Sequence, residues 1–561
     1  MAVYIGLFLL AVVLGILITG KNPTKKNKII YLSIMFVLMF VVMITRYGIG
    51  NDYFSYMRIY NNLINSDWAT SFTALGLEPL FVIITKLFSG LTHNTEILYT
   101  FYAVLILAPV AYAIYRHSDN VWLSVVTYLC FTFYYTSFNF IRQSMAVSVI
   151  ILAYGFIKEK KHIPVIIMGI IATLIHFTAA VFIPLYLISL IKPTKKYLII
   201  FSSASVGVLL TCIIMKAAGA NPADLVAKLA TVITGKNYSS YIGSTWFETG
   251  FSIAYIIMPL TFLGFVMISY FLGWKEKKEA PILLQFTLMN AIIWMFITYA
   301  FIFERFSMFI FIFSVFTVPS VLNYYKEKAD AEEKNAQNAK EQKKMPGYSK
   351  KKSEEKRDNH FLLTIFAVTG MFVYNCWGMS MNFHGAFPYI SAIPEIQVVI
   401  DDCDTPEENI EAMKTNADLY KYFIQLKESG CTYAILSTSD TYGGLTMGVR
   451  RAADYAGTGF NRSSDVEEST PTYFEYNNRA GEAVIEQIAD ETFEYEAADG
   501  TKMTLSATEG KITDSKGNSV TVADGKTAFI LMDENGTIFD AMQFETHTYG
   551  RTAAKISIDA A

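Results

Sequence analysis

Apolar runs approaching twenty residues, with ionisable residues only at their ends, recur from Met1 to Trp377 and leave this chain few ways to fold. A hydrocarbon core of about 30 Å takes about 20 helical residues to cross, and only helices or closed barrels satisfy their backbone polar groups there. These runs lack the period-two alternation of barrel strands, so they are helices. With 561 residues, 53% of them hydrophobic, the chain is too long and too apolar for one soluble domain. The expected class is a polytopic α-helical membrane protein of the cell membrane. The first twenty residues lack a basic leader and a small-x-small cleavage pattern, and read as the first span rather than a signal peptide.

The lysines set the expected topology. Clusters at Lys21–Lys28, Lys158–Lys161, Lys192–Lys196, Lys275–Lys278 and Tyr324–Asp358 belong to the cytoplasm by the positive-inside rule, so each interval between them holds an even number of crossings. Between Lys28 and Lys158 there are five runs. The weakest, Gly76–Leu91, carries Glu78, Pro79 and Lys86 and is taken as re-entrant or interfacial on the outer side. The stretch Ile163–Ile191 is then a hairpin of two short helices turning near His176. The alternative lets Gly76–Leu91 cross and makes Ile163–Ile191 one tilted helix. About twelve crossings result, with both termini outside. Leu225, Val226, Leu229 and Val232 have the spacing of an amphipathic surface helix.

This topology puts Arg46, Asp52, Arg142, His176, Glu304 and Arg305 on one face of the membrane. Ionisable groups at membrane depth cost about 2.5 to 3.5 kcal/mol each on insertion scales and are usually retained for binding or chemistry, so six on one side point to a shared site. In RYGIGNDYFSY, Arg46 precedes Gly48, Gly50, Asp52, Tyr53 and Tyr56. Glycines allow close backbone approach to a ligand, and arginine offers a planar fork for phosphate oxygens; the alternative is an Arg46–Asp52 bridge stapling a loop. Asn139, Arg142 and Gln143 fall at a break between spans, a set suited to a sugar or phosphate, although one of them merely capping a helix is the plainer reading. His176 stands alone among apolar neighbours, where a structural histidine is commoner than a base. Glu304 and Arg305 either face a ligand or pair with each other.

Taken in order, Arg-x-Gly-x-Gly-x-Asp-Tyr from Arg46, Glu78–Phe81 (EPLF), the Phe138–Gln143 break (FNxxRQ) and the His176–Phe177 turn resemble the EpsG branch of the Wzy-like polysaccharide polymerases, over about Met1–Tyr325. Thr178 and Ala179 depart from the family by one place. The resemblance implies transfer, outside the cytoplasmic membrane, of an oligosaccharide carried on undecaprenyl diphosphate onto the non-reducing end of another unit. A sugar diphosphate is already activated, so the enzyme mainly stabilises the leaving pyrophosphate and deprotonates a hydroxyl. On that reading Arg46, Arg142 and Arg305 bind the diphosphate, with Asn139, Gln143, Tyr53, Tyr56 and Glu78 also contacting substrate. Asp52 or His176 is the base, with Glu304 in reserve. Tyr134, Tyr135 and Trp246 are further candidates to stack on sugar rings, or are ordinary interfacial anchors. No DxD motif or nucleotide-binding glycine loop is present, so no metal and no cofactor is expected. The expected partners are the lipid-linked oligosaccharide, membrane lipid and other polysaccharide assembly proteins. Net charge is only −3 and the basic residues lie in short loops, which argues against nucleic acid.

The expected domains are 1–325 in the membrane, 326–359 as a charged cytoplasmic linker, 360–378 as a final span and 379–561 as an extracytoplasmic α/β domain. In the last of these, Ile396–Ile400 reads as a strand, Thr405–Glu408 as a capping box opening a helix to about Lys427, and Tyr433–Leu436 as a second strand. Thr492–Phe544 alternates short strands with turns at Asp499-Gly500, Lys516-Gly517, Asp524-Gly525 and Asn535-Gly536. Strings at Ser437–Gly444 and Phe529–His547 resemble the interleukin-like EMT inducer fold, which implies binding of glycan or a partner. Asp401, Asp402, Asp404, Asp440 and His547 make a site or, more simply, a solvated acidic rim. Cys403 and Cys431 read as free thiols, with a disulfide as the alternative. Two other classes compete with the polymerase: a flippase or transporter of lipid-linked sugars, and a membrane acyltransferase with His176 as base. Transport needs polar groups through the bilayer depth, whereas here they gather at one side.

Overall fold

A computed structural model describes residues 2–20, 23–46, 49–50, 52–73, 76–93, 97–217, 254–297, 302–341, 349–380, 386 and 389, and beyond 431 the strands and turns at 432–437, 461–462, 473–477, 484–489, 492–496, 502–508, 511–522, 526–532, 537–545, 553–555 and 557–559. Among these, seven helices are long and apolar enough to cross a membrane, or up to nine when two bent pairs each count as one span. That is fewer than the twelve crossings read from the sequence. The difference lies in His162–Ile175, Phe177–Ser189 and Tyr255–Phe271, which are apolar but short.

The first helices, α1 (Ala2–Thr19) and α2 (Lys25–Thr45), form an antiparallel hairpin. Asn27 Nδ2 donates to the carbonyl of Ile18 at one end, and Tyr31 Oη donates to the carbonyl of Ala11 along the seam. A phenol in a membrane interior needs such a partner, because no water competes for it. Next come two helices that do not span, α3 (Tyr53–Asn65) and α4 (Trp68–Thr73), and then α5 (Pro79–Ser89) and α6 (Ile97–His117). At 11 residues α5 is about 16 Å long, half a hydrocarbon core. Lys86 Nζ at its end donates to the carbonyls of Leu63 and Ser66 on the α3 side, which fits the re-entrant reading.

A long apolar run then breaks twice. Helix α7 (Val121–Cys130) bends by 46° into α8 (Phe133–Asn139) at Thr132, whose φ is +64°, and α8 stops at Phe140 before α9 (Ile141–Leu152) and α10 (Tyr154–Lys158). The second break is the one expected at Asn139–Arg142. Helices α11 (His162–Ile175) and α12 (Phe182–Ser189), joined by a 3-10 turn at Phe177–Val181, fold back on each other: His162 Nδ1 lies 2.8 Å from Tyr186 Oη, and a Cβ added at Gly169 would lie 2.8 Å from Ile183 Cγ1. This hairpin turning at His176 matches the leading topology.

The remaining helices are α13 (Lys195–Ala217), α14 (Ala254–Phe271), α15 (Ala280–Ile297), α16 (Ile302–Phe311), α17 (Ser314–Glu341) and α18 (Ser349–Ser380). Helices α16 and α17 meet at a 44° bend. The charged stretch expected as a linker is largely helical, continuing α17 outward to Glu341 and opening α18 at Ser349. Leu17, Ile163, Ile199 and Phe366, each at least two-thirds exposed, face outward as lipid-contacting residues do.

The lysine clusters share one pole. Lys277 Nζ bonds Glu327 there, Gln285 on α15 donates to the carbonyl of Ile191, and Gly15 near the end of α1 packs against Trp122 at the start of α7. At the opposite pole, Tyr4 Oη donates to the carbonyl of Ala386, and Tyr389 meets Thr45 Oγ1 at 2.7 Å.

Beyond residue 431 the described strands form two antiparallel sheets. Strands β1 (Thr432–Ser437), β2 (Asn461–Arg462), β3 (Tyr473–Asn477), β9 (Lys526–Met532), β10 (Ile538–Glu545) and β11 (Ala553–Lys555) lie in the order β11-β10-β9-β1-β3-β2. Strands β4 (Val484–Ala489), β5 (Thr492–Glu496), β6 (Lys502–Thr508), β7 (Lys511–Asp514) and β8 (Ser519–Thr521) form a meander. The expected turn at Lys516-Gly517 joins β7 to β8, and Gly517 has the positive φ it requires; Asp499-Gly500, Asp524-Gly525 and Asn535-Gly536 lie outside the described residues. Buried Asp514 joins the sheets, because Oδ2 accepts from the backbone N–H of Ile538 and Oδ1 from those of Lys516 and Asn518. The expected strand Ile396–Ile400, the helix from Thr405 to Lys427, Cys403, Cys431, Asp401, Asp402, Asp404, Asp440, His547, Trp246 and the Leu225–Val232 segment lie outside the described residues.

Candidate active site

The pole away from the lysines gathers the sequence-predicted residues around Glu78. Glu78 precedes Pro79 at the start of α5, where proline occupies a first-turn position that needs no amide donor. Its two carboxylate oxygens serve different segments. Oε2 accepts from Arg142 Nη1 at 2.6 Å, and Oε1 accepts from the backbone N–H of Phe177 at 3.1 Å. His176 Nδ1 lies 3.3 Å from Oε1. One carboxylate thus ties the α8–α9 break to the α11–α12 turn. Burial alone raises the Glu78 carboxyl, but the His176 contact and the Arg142 charge outweigh it and hold the group below the usual carboxylate range. This engagement differs from the expected substrate contact, since both oxygens are occupied by protein donors.

His176 is buried, and neither Nδ1, which lies beside Glu78 Oε1, nor Nε2 makes a hydrogen bond in the protein. Arg142 keeps about a quarter of its side chain exposed and lies over the Phe81 ring. Its backbone N–H donates to Tyr56 Oη. Beside it, Gln143 Nε2 donates to the carbonyl of Arg305, and the Arg305 guanidinium covers the Phe140 ring at 4.7 Å. Arg142, Arg305 and His176 therefore meet across three elements. Glu304, the neighbour of Arg305, acts electrostatically on Tyr255 and Tyr374, toward α14 and α18.

The Arg46 loop forms the other wall. Arg46 ends α2 and is only 2% exposed, with its guanidinium over Tyr99 (4.9 Å), Phe138 (4.7 Å) and Tyr53 (5.8 Å). Nη1 donates to the carbonyl of Met43, while Nε and Nη2 have no partner. The expected Arg46–Asp52 bridge is not among the ion pairs of the described residues; Asp52 is held instead through its backbone N–H, which donates to Asn139 Oδ1 at 3.0 Å. Gly50 makes that approach possible: its φ is +94°, and a Cβ would sit 2.5 Å from the carbonyl oxygen of Phe138.

Several aromatic expectations are corrected here. Tyr134 and Tyr135 are fully buried; Tyr134 Oη donates to the carbonyl of Met39, so neither presents a face to a sugar. Tyr53 is stacked on Tyr99 at 4.4 Å, and Tyr56 packs edge-on to Phe81 and Tyr102, so their rings are also engaged by protein. Sequence reasoning missed Tyr99, which covers Arg46 and donates to the carbonyl of Tyr53. It lies within an apolar run that offered no cue.

A sequence model of the EpsG family matches residues 29–331, more than half of the chain and all of this site. The chain belongs to the EpsG family. No curated protein and no solved structure matches it. With several helices suited to crossing a membrane, this EpsG member fits a multi-pass membrane protein, and its family points to exopolysaccharide polymerisation by glycosyl transfer. No group of His, Cys, Asp and Glu fit to hold a metal occurs among the described residues.

Proposed function

We propose that this EpsG member polymerises undecaprenyl-diphosphate-linked oligosaccharide repeat units into exopolysaccharide or capsule at the outer face of the cytoplasmic membrane. The observation that carries the reading is the junction at Glu78, which sets Arg142 and His176 side by side with Arg305 adjacent, at the pole opposite the lysines. On this reading an acceptor hydroxyl oxygen attacks the anomeric carbon of the donor sugar. The bond from that carbon to the diphosphate oxygen breaks, its electron pair leaves with undecaprenyl diphosphate, and the hydroxyl proton passes to a base.

Arg142 and Arg305 receive the developing negative charge, as preorganised cations do in a site that excludes water. His176 is the favoured base: neither ring nitrogen is hydrogen-bonded to protein, and the Glu78 carboxylate, 3.3 Å from Nδ1, is placed to orient the ring while Nε2 takes the proton, the logic of a base oriented by a carboxylate. Asp52 is the second candidate. Arg46, enclosed by rings, organises the loop that presents Asp52 rather than gripping the diphosphate. The 379–561 region, on this reading, lies outside and binds glycan or an assembly partner.

A transporter is disfavoured because no Asp, Glu, Lys or Arg occurs within the runs at 29–45, 97–115, 143–157 or 198–215, where a translocated polar substrate would need partners. The test is reconstitution of the purified full chain with lipid-linked repeat units. Release of one undecaprenyl diphosphate per new linkage supports the proposal; movement of lipid-linked sugar across the bilayer without new linkages refutes it.

A further inference from the structure

A continuous apolar furrow runs between α14 and α18, away from the residues assigned above. Its upper part, a cavity of about 440 Å³, is walled by Phe131, Phe262, Gly370, Tyr374 and Trp377 among others, with Thr261 the lone hydroxyl outside the aromatic Tyr374. A lower cavity of about 680 Å³ shares Thr261, Phe265 and Phe366 with it and continues past Gly264 to Lys328 and His360. From His360 to Trp377 the furrow follows about 25 Å of α18, close to the thickness of a hydrocarbon core. Its upper end reaches Trp377, whose ring lies 5.3 Å from that of Tyr255; Tyr255 packs against Trp294, and Trp294 Nε1 donates to Ser307 Oγ, two residues after Arg305.

We infer that this furrow seats the polyprenyl chain of the lipid-linked donor while its diphosphate sits against Arg305 and Arg142; the assignment rests on the polymerase reading. Three observations select this occupant. The furrow's upper end is linked through Tyr255 and Trp294 to the helix that carries Arg305, a cation assigned to the diphosphate, so an amphiphile with an anionic head and a long apolar tail can reach both. Its walls are mainly aromatic and aliphatic between Trp377 and Leu363, with Lys328 and His360 only at the lower end. It is also broad where a methyl-branched chain needs room: Gly264 on α14 and Gly370 on α18 both border it, and neither has an atom within 4 Å of the position a Cβ would take. A straight acyl chain needs no such widening.

The same glycines make the test clean, because Gly370→Leu and Gly264→Leu fill the furrow without meeting an existing side chain at Cβ. Binding of undecaprenyl diphosphate and of geranyl diphosphate is measured on the full-length protein in lipid nanodiscs. Each leucine variant is expected to weaken undecaprenyl diphosphate by about tenfold or more while leaving geranyl diphosphate unchanged, since buried methylene groups carry the difference. Arg142→Ala is expected to weaken both. In the wild type, an undecaprenyl diphosphate bearing a photoreactive group in its tail is expected to label α14 and α18, a readout independent of any variant's folding. Undiminished binding by both leucine variants, or labelling confined to other helices, overturns the furrow assignment and gives the space to phospholipid or another segment of this chain. Failure of undecaprenyl diphosphate to bind the wild type overturns the polymerase reading as well.

Discussion

Arg142 Nη1 and Glu78 Oε2 are 2.6 Å apart, and this pair joins segments 64 residues distant in sequence. Glu78→Gln keeps the shape and removes the charge that opposes Arg142 and orients His176. Breaking a buried pair by removing one partner costs about 3–5 kcal/mol. Polymer formation is expected to fall about 10²-fold, the scale of a misplaced catalytic group. The check is turnover of lipid-linked repeat units, with the Michaelis constant measured alongside. A rise in the Michaelis constant with turnover unchanged would return Glu78 to the substrate-binding role.

The pair also sets a pH dependence. Because Glu78 is held below its ordinary range when folded, its contribution is fully present above the unfolded value of about 4.3 and is lost as pH falls through the lower folded value. The difference in thermal stability between wild type and Glu78→Gln should therefore stay constant from neutral pH down to about 5 and shrink only in stronger acid. Differential scanning fluorimetry across that series checks it.

Arg46 carries two buried nitrogens without partners, so it weakens the fold it sits in. An unsatisfied buried donor costs about 1–3 kcal/mol. Arg46→Met, which fills the aromatic cage without that cost, is expected to melt at the same or a higher temperature while losing polymerisation. A parallel loss of stability and activity would show instead that the guanidinium is retained for packing.

The loop that presents Asp52 depends on Asn139 and Gly50. Asn139→Leu removes the acceptor for the Asp52 N–H, worth about 1 kcal/mol with an unsatisfied donor added. Gly50→Ala forces Cβ onto the Phe138 carbonyl and strains a positive φ. Both variants are expected to expose Ile49→Cys, at a buried position of the same loop, to a membrane-impermeant thiol reagent faster than the parent does, with polymer yield falling in step.

Much of this was legible in the sequence. The Asn139–Arg142 break, the turn at His176 and the hairpin turn at Lys516-Gly517 are written in residues with local geometric demands. Tyr99, Tyr134 and Tyr135 were not legible, because in a membrane protein the core-facing and lipid-facing sides of a helix are both apolar, so periodicity does not report which ring is inside. The role of Glu78 was missed for another reason: only the fold brings Phe177 N–H to its second oxygen. The twelve crossings read from the sequence exceed the seven to nine long apolar helices among the described residues because three short apolar helices were each counted as a span.

The topology is checked by labelling cysteines from outside the cell in a variant lacking the native ones. Leu91→Cys, at a position 82% exposed, should react, and Lys160→Cys should not. The reverse pattern would mean that Gly76–Leu91 crosses the membrane and Arg142 lies on the cytoplasmic side.

The most direct measurement replaces Arg142 and His176 singly with alanine and follows the length of the lipid-linked glycans in cells. Loss of a general base or of a charge-stabilising group costs about 10²- to 10⁴-fold, so single repeat units should accumulate and polymer should disappear in both. Polymer of unchanged length in both variants would contradict the account.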